Sequence, residues 1–349
     1  MFDSYLKNII DKVPTINEYN SNDFRTILSE AYLELVNYRA HSNKTEYVQE
    51  VEVITSLRKL ADTFEYIGLF NSNAELEIKT AACFLAAEAL SLLTQLIKPN
   101  LQEDKELFIN NYEITLFESG ILYFIAGYDA NSRTMIKTFK QSINERDLSD
   151  ELKWAFSQIT NICDGSKRLE DSEPEPPVMD YNLSYQNSVT ILLRIGKIAN
   201  HYHAWLGGDS KTPMDELINT LDDYIKLITK HFSPIYAVPL HICRLLREFI
   251  WSTSQRSIFH SIPRPTNNIG DYELFLKNII LGGKDSTGQL FLWPSAQNFV
   301  DKCLPGPIPH SIVCTPTGSG KSTIAKLAIS HALNEGWVLY LAPTNALVH

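Results

Sequence analysis

Ser311-Ile-Val-Cys-Thr315-Pro-Thr317-Gly318-Ser319-Gly320-Lys321-Ser322-Thr323, followed directly by Ile324-Ala-Lys-Leu-Ala-Ile-Ser-His-Ala-Leu333, carries three patterns in succession. Ile312, Val313 and Cys314 form a short apolar run of the kind that makes a buried strand. From Ser322 to Leu333 the spacing places Ile324, Leu327, Ala328 and His331 on one helical face. Between run and helix stand two glycines, whose backbone freedom lets successive N–H groups turn inward around a phosphate. The helix start, with about half a positive charge, faces the same place. The spacing therefore predicts a phosphate-binding loop in which Lys321 reaches the β- and γ-phosphates and the Ser322 hydroxyl binds Mg²⁺. The strict pattern has Gly where Thr315 stands. The alternative is an ordinary strand, turn and helix whose glycines serve the turn alone.

Downstream, Glu335-Gly336 ends the helix and Trp337-Val-Leu-Tyr-Leu-Ala342 is a second apolar run, as in a parallel strand buried on both faces. Pro343-Thr344-Asn345-Ala346-Leu347 follows. These blocks resemble the first conserved blocks of superfamily 2 helicases of the DExH/DEAD type. There the first block reads (Ala/Thr)-x-Thr-Gly-x-Gly-Lys-(Ser/Thr), which accommodates Thr315, and the next reads Pro-Thr-x-Ala-Leu. The resemblance implies that ATP and Mg²⁺ are bound through Thr315, Thr317, Gly318, Ser319, Gly320, Lys321, Ser322 and Thr323, with Lys321 catalytic. It also implies that Pro343, Thr344 and Asn345 touch phosphates of DNA or RNA. Asn345 stands where the family often has Arg, which weakens one such contact. Leu292-Trp293-Pro294-Ser295-Ala296-Gln297 looks like the adenine-sensing segment of the same helicases, with Gln297 as base reader. The family spacing is Pro-x-Gln and here it is Pro-x-x-Gln, so a plain helix start at Trp293-Pro294 with Gln297 on the surface is the alternative. The resemblance spans Leu292 to His349, about a sixth of the 349 residues.

The formal net charge is −10 and the isoelectric point near 5.4, so summed charge does not draw this chain to nucleic acid; such a site has to be local. Five cysteines (Cys83, Cys163, Cys243, Cys303, Cys314) stand far apart and read as reduced core thiols of a cytoplasmic protein. Met1 to Lys12 mixes charged with apolar residues, unlike a signal peptide, and no long apolar run predicts a membrane span.

Elsewhere helical spacing dominates. It predicts helices over Asn22 to Arg39, Val51 to Phe64 closed by Gly68, Asn73 to Lys98, Ser132 to Ile143, Ser149 to Ile162, Gln186 to Leu206, Leu240 to Trp251 and Asp271 to Leu281. Thr212-Pro213-Met-Asp215 predicts another, capped by Thr212 with Pro213 first in the helix. Tyr112 to Tyr128 is apolar almost all round and belongs at the centre of a bundle. Asp164 to Asp180, rich in Glu and Pro, reads as an acidic linker or loop, and Ser261 to Asn268 as a hinge. His201 and His203 lie on different helix faces with no carboxylate or Cys to complete a ligand set, and read with Tyr202 and Trp205 as packing. His231 and His241 flank a loop without visible partners. No Ser/His/Asp or paired-carboxylate pattern stands out.

The expected architecture is mainly α: a helical bundle over 1–163, an acidic linker over 164–185, a second helical segment over 186–268, and over 269–349 the first part of a RecA-like α/β phosphate-loop domain. The resemblance then implies the N-terminal part of a longer ATP-dependent helicase. Its acidic Asp-Glu strand, second lobe and arginines would lie beyond His349, and the 349-residue chain alone is expected to be inactive. The acidic helical region suits a protein partner or regulation. Alanine-rich helix hairpins feeding such a motor are similar to helicase subunits of bacterial anti-phage systems such as Hachiman. The alternative function is a non-catalytic helical interaction protein with a vestigial loop. A phosphate-loop NTPase of another class has no reason to carry Pro343 to Leu347.

Overall fold

A computed structural model describes residues 21–41, 50–70, 75–97, 109–146, 148–166, 168, 183–210, 212–231, 234–265, 267–282, 288–304, 312, 314, 321–333 and 336–339. The described residues are mainly helical and carry thirteen α-helices. They are α1 (Ser21–His41), α2 (Glu50–Glu65), α3 (Leu76–Leu96), α4 (Asn111–Ile125), α5 (Asp129–Glu145), α6 (Asp150–Asp164), α7 (Leu183–Leu206), α8 (Met214–Lys230), α9 (Ala237–Ser254), α10 (Ile258–Ser261), α11 (Ile269–Leu281), α12 (Pro294–Cys303) and α13 (Lys321–Leu333). The chain divides into two compact units, Met1–His203 with Thr212–Ser252, and Ala204–Lys211 with Thr253–His349.

In the first unit α4 is the central element. Leu116, Phe117, Ile121, Leu122, Tyr123 and Phe124 are all buried, so its apolar circumference is covered on every side. α3, α5 and α6 pack against it, and α2 and α1 pack on α3. Phe117, Phe139 and Phe156 interlock with ring centroids 5.4 to 5.7 Å apart, in the tilted and edge-to-face arrangements aromatic quadrupoles favour. Phe249 of α9 meets Phe124 at 5.4 Å and Tyr202 of α7 at 6.3 Å. α4 starts on a capping box: Asn110 accepts from the Glu113 N–H while the Glu113 carboxylate accepts from the Asn110 N–H.

Three local features differ from the sequence expectations. Gly68 does not close α2; it lies buried in a π-helical turn, Tyr66–Phe70, that continues the helix. Pro213 occupies the N-cap of α8 in extended conformation, and no side chain caps it. The apolar runs expected as strands belong to none among the described residues. Ile312 is 97% exposed, Trp337 85% and Leu339 69%, and Cys314 is exposed. A strand buries such side chains only when neighbouring strands pair with it and another layer covers it. No sheet, and so no RecA-like arrangement, is present among the described residues. Cys83, Cys163 and Cys243 are buried core thiols as expected, whereas Cys303 is half-buried and Cys314 is not core at all. Most of the acidic stretch read as a linker lies outside the described residues.

In the second unit Ser257 and Phe291 form an isolated antiparallel bridge, with Ile258 N–H donating to Leu290 O at 3.0 Å and Leu292 N–H to Arg256 O at 2.7 Å. The segment read as a hinge is tied down there. Arg264 donates to Phe259 O at 2.6 Å and Ile262 O at 3.1 Å, and its guanidinium sits 4.7 Å from the Phe259 ring. Trp205 stacks on His260 at 3.7 Å and 9°, while its carbonyl meets His260 Nε2 at 2.7 Å. These are packing roles, as expected for Trp205.

The close approach of α6 and α7 makes one position intolerant of any side chain. A Cβ on Gly196 would stand 2.8 Å from Ala155 Cα, a backbone atom that cannot swing away. Gly196→Ala gains about 1 kcal/mol of helix propensity and loses more to overpacking, of which about 1–3 kcal/mol is usual. The expected net result is a lower urea midpoint; an unchanged or higher midpoint contradicts this packing.

Candidate functional site

Two groups of residues bear on function, one in each unit. In the second, α13 begins at Lys321 directly behind the glycine-rich segment. Lys321 and Ser322 are exposed in its first turn, which holds no acidic residue to compete for the free N–H groups. Thr323 Oγ1 donates to Gln289 Oε1 at 3.2 Å, and Ile324 and Leu327 anchor the helix. α12 packs against α13. On α12, Gln297 donates from Nε2 to Asp301 Oδ1 at 2.8 Å, one turn on, and its Oε1 is buried without a hydrogen-bond partner. A base can reach this amide only if the side chain turns away from Asp301. Thr315, Thr317, Gly318, Ser319, Gly320, Pro343, Thr344 and Asn345 lie outside the described residues.

The first unit holds a group that sequence reasoning missed. Glu65 at the end of α2, Glu118 in the middle of α4 and His241 near the start of α9 each offer a ligand atom within 4.8 Å of the others. His241 Nδ1 is 3.8 Å from Glu65 Oε1, and its Nε2 is 3.6 Å from Glu118 Oε1. These are ion-pair separations, too long for hydrogen bonds. Arg58, two turns before Glu65 on α2, reaches both oxygens of Glu118, at 3.0 and 3.3 Å, and Asp62 at 2.9 Å. His241, for which the sequence shows no partners, thus has two, and the carboxyls of Glu65 and Glu118 form a pair that no sequence pattern marks. His231, by contrast, is exposed.

Burial sets the protonation of this group. Glu118 is wholly buried and Glu65 nearly so. Burial pushes the Glu65 carboxyl well up, and the Glu118 carboxylate beside it adds to the push, so Glu65 holds its proton. Burial pushes Glu118 up as well, but the imidazole of His241, the Arg58 guanidinium and the Glu65 proton outweigh it and hold Glu118 down at about 2. The pair shares one proton because two adjoining buried carboxylates cannot both ionise. Elsewhere in the unit His203, buried and near Arg168, is held down to about 4 and stays a neutral core residue.

One signal for this group was present: Glu118 is an ionisable residue inside a run of apolar ones, and such a residue needs a partner. Which partner was not legible, since Arg58, Glu65 and His241 lie on two other helices far away in sequence. No protein-family model matches the chain, and no curated protein and no solved structure matches it either.

The sign of the pH dependence follows from Glu65. Its folded-state value lies above the ordinary 4.5, so above that pH the unfolded chain has lost a proton that the folded chain keeps. Stability from this group therefore falls as pH rises from about 4.5 toward the raised value. The depressed Glu118 acts in another window, its stabilisation being lost as pH falls from 4.5 to about 2. Glu65→Gln keeps the shape and the donor without the ionisation. Urea unfolding is expected to show it gaining on the wild type as pH rises above about 4.5; a gap that is flat, or that shrinks with pH, contradicts the assigned protonation.

Proposed function

We propose that the chain is the N-terminal part of an ATP-dependent nucleic-acid helicase or translocase, with ATP bound at the glycine-rich loop and the helical region used for protein contact or regulation. The observation that carries the reading is the start of α13 at Lys321, with Lys321 and Ser322 exposed in a first turn free of carboxylates. A phosphate loop needs this: open N–H groups and the positive helix end next to a lysine. Lys321 would stabilise the charge that gathers on the phosphate oxygens during transfer. Ser322 would hold Mg²⁺, which when bound neutralises phosphate charge. Pro343, Thr344 and Asn345 would track the nucleic-acid backbone as ATP turnover opens and closes a cleft between two lobes.

Two further facts support the reading. Ile312, Trp337 and Leu339, from the two runs expected as strands, put apolar side chains into solvent, a surface that a covering layer would bury. Gln297 has a buried amide oxygen without a donor, so its bond to Asp301 leaves it under-used and free to exchange for the edge of a base. A place in bacterial anti-phage defence belongs to the same proposal and rests on the sequence resemblance alone.

Lys321→Ala tests it. In the intact protein that carries this chain, ATP turnover is expected to fall on the order of 100-fold or more, with helical circular dichroism unchanged because Lys321 is exposed. Turnover retained in that variant removes the assignment.

A further inference from the structure

Where α2, α4 and α9 meet, three carboxyls gather around one guanidinium and one imidazole. Asp62, Glu65 and Glu118 bring three carboxyls, and Arg58 brings one guanidinium. The other buried carboxylates of this unit look different. Glu113 accepts from Arg146, from the Ser142 hydroxyl and from the Asn110 N–H. Glu88 accepts from Arg39 at 2.6 Å and from the Tyr123 hydroxyl at 2.7 Å. Glu65 differs: its hydrogen bond is to the Glu118 carboxylate, a second acid, and His241 Nδ1 stands 3.8 Å away, beyond hydrogen-bond reach. His241 Nε2, turned toward Glu118, is also buried without a hydrogen-bond partner. An imidazole nitrogen without a hydrogen bond thus lies beside two carboxyls whose side chains are 0% and 7% exposed.

We infer that Glu65, Glu118 and His241 form a binding site for one divalent first-row transition-metal ion of the zinc type. One imidazole with two carboxylates is a mixed nitrogen and oxygen set, which suits zinc and its neighbours better than magnesium or calcium. A tetrahedral zinc ion with bonds of about 2.0–2.2 Å holds its ligand atoms about 3.3 Å apart. One imidazole gives an ion one nitrogen, and with one ligand atom from each of Glu65, Glu118 and His241 the three atoms lie within 4.8 Å of one another, a spacing that rotation of the side chains closes onto the ion. Arg58 remains on Glu118 as an outer partner that fixes the carboxylate. His241, with 28% of its side chain exposed, supplies the way in and room for a water as fourth ligand. The helix widens into its π turn immediately after Glu65, and the turn is buried at Ile67, Gly68 and Leu69, so it is a built feature and not a frayed end. Such turns recur at functional sites. The site belongs to the helical unit and does not depend on the nucleotide reading.

The test uses the full chain without a histidine tag, stripped by a chelator and titrated with Zn²⁺ against a chromophoric chelator, with Co²⁺ as spectroscopic stand-in. The expected result is one equivalent bound, a Co²⁺ spectrum lacking thiolate charge transfer, and a higher Tm with Zn²⁺ present. Glu65→Gln and His241→Gln should each weaken Zn²⁺ binding about tenfold or more and remove the rise in Tm. Cys303→Ser with Cys314→Ser, the two thiols not buried, should change neither. Glu65→Gln preserves the side chain's shape, and unchanged helical circular dichroism separates lost binding from lost structure; should that variant fail to fold, His241→Gln on the partly exposed imidazole gives the same readout. No binding by the wild type, equal binding by the Gln variants, or binding that disappears with the two cysteines would each overturn the inference.

Discussion

A helix that is apolar on every face has to be surrounded, and α4 sets this demand on the first unit. Its two ionisable acids, Glu113 and Glu118, are both fully buried, so the surrounding helices must bring cations as well as apolar surface. α5 and the residue after it answer at one end, with Ser142 and Arg146 on Glu113. α2 and α9 answer at the other, with Arg58 and His241 on Glu118. The positions of these helices around α4 are therefore fixed by charge as well as by packing. The interlocked rings of Phe117, Phe139 and Phe156 fix the side facing α5 and α6.

The helices themselves were legible in the sequence, because apolar spacing and turn signals are local. Spacing alone placed α4 at the centre, and Gly207-Gly208 and Gly282 marked the ends of α7 and α11. Three kinds of feature were not legible. The π turn at Tyr66–Phe70 depends on Gly68 lying against Cys83 of α3, where an added Cβ would meet the sulfur at 2.5 Å, a tertiary contact that no spacing reveals. The fates of Ile312 and Trp337 depend on strand neighbours, and period alone cannot supply them. The cluster of Glu65, Glu118 and His241 joins three helices across most of the unit. Glu65 and His241, taken within their own helices, look like ordinary end residues, and Glu118 shows only that it needs a partner.

The glycine-rich segment proposed to bind nucleotide is the reverse case. Its chemistry is entirely local: glycines, Lys321 and Ser322 in one run, followed by the helix whose start they share. Sequence is the stronger witness there, and the structure adds the point at which the helix begins and the bond that occupies Gln297.

Stability alone does not account for the network at Glu118. A buried ion pair contributes little net free energy over well-packed apolar groups of the same volume, because removing two charges from water offsets most of their attraction. Leucine or methionine at Arg58, Glu65, Glu118 and His241 would fill this space without a shared proton or an imidazole held between two carboxyls. Glu113 differs, since its carboxylate also caps α4 and closes a box with Asn110, a role an apolar residue cannot perform. Glu65 caps nothing: the helix runs on past it into the π turn. A carboxyl that burial forces to stay protonated, beside an imidazole whose Nε2 has no hydrogen bond, is a poor arrangement for a protein core and a suitable one for holding a cation. The asymmetry between the two acids of α4 is therefore chemical: one completes a helix terminus, and the other faces a second carboxyl and an imidazole nitrogen without a hydrogen bond.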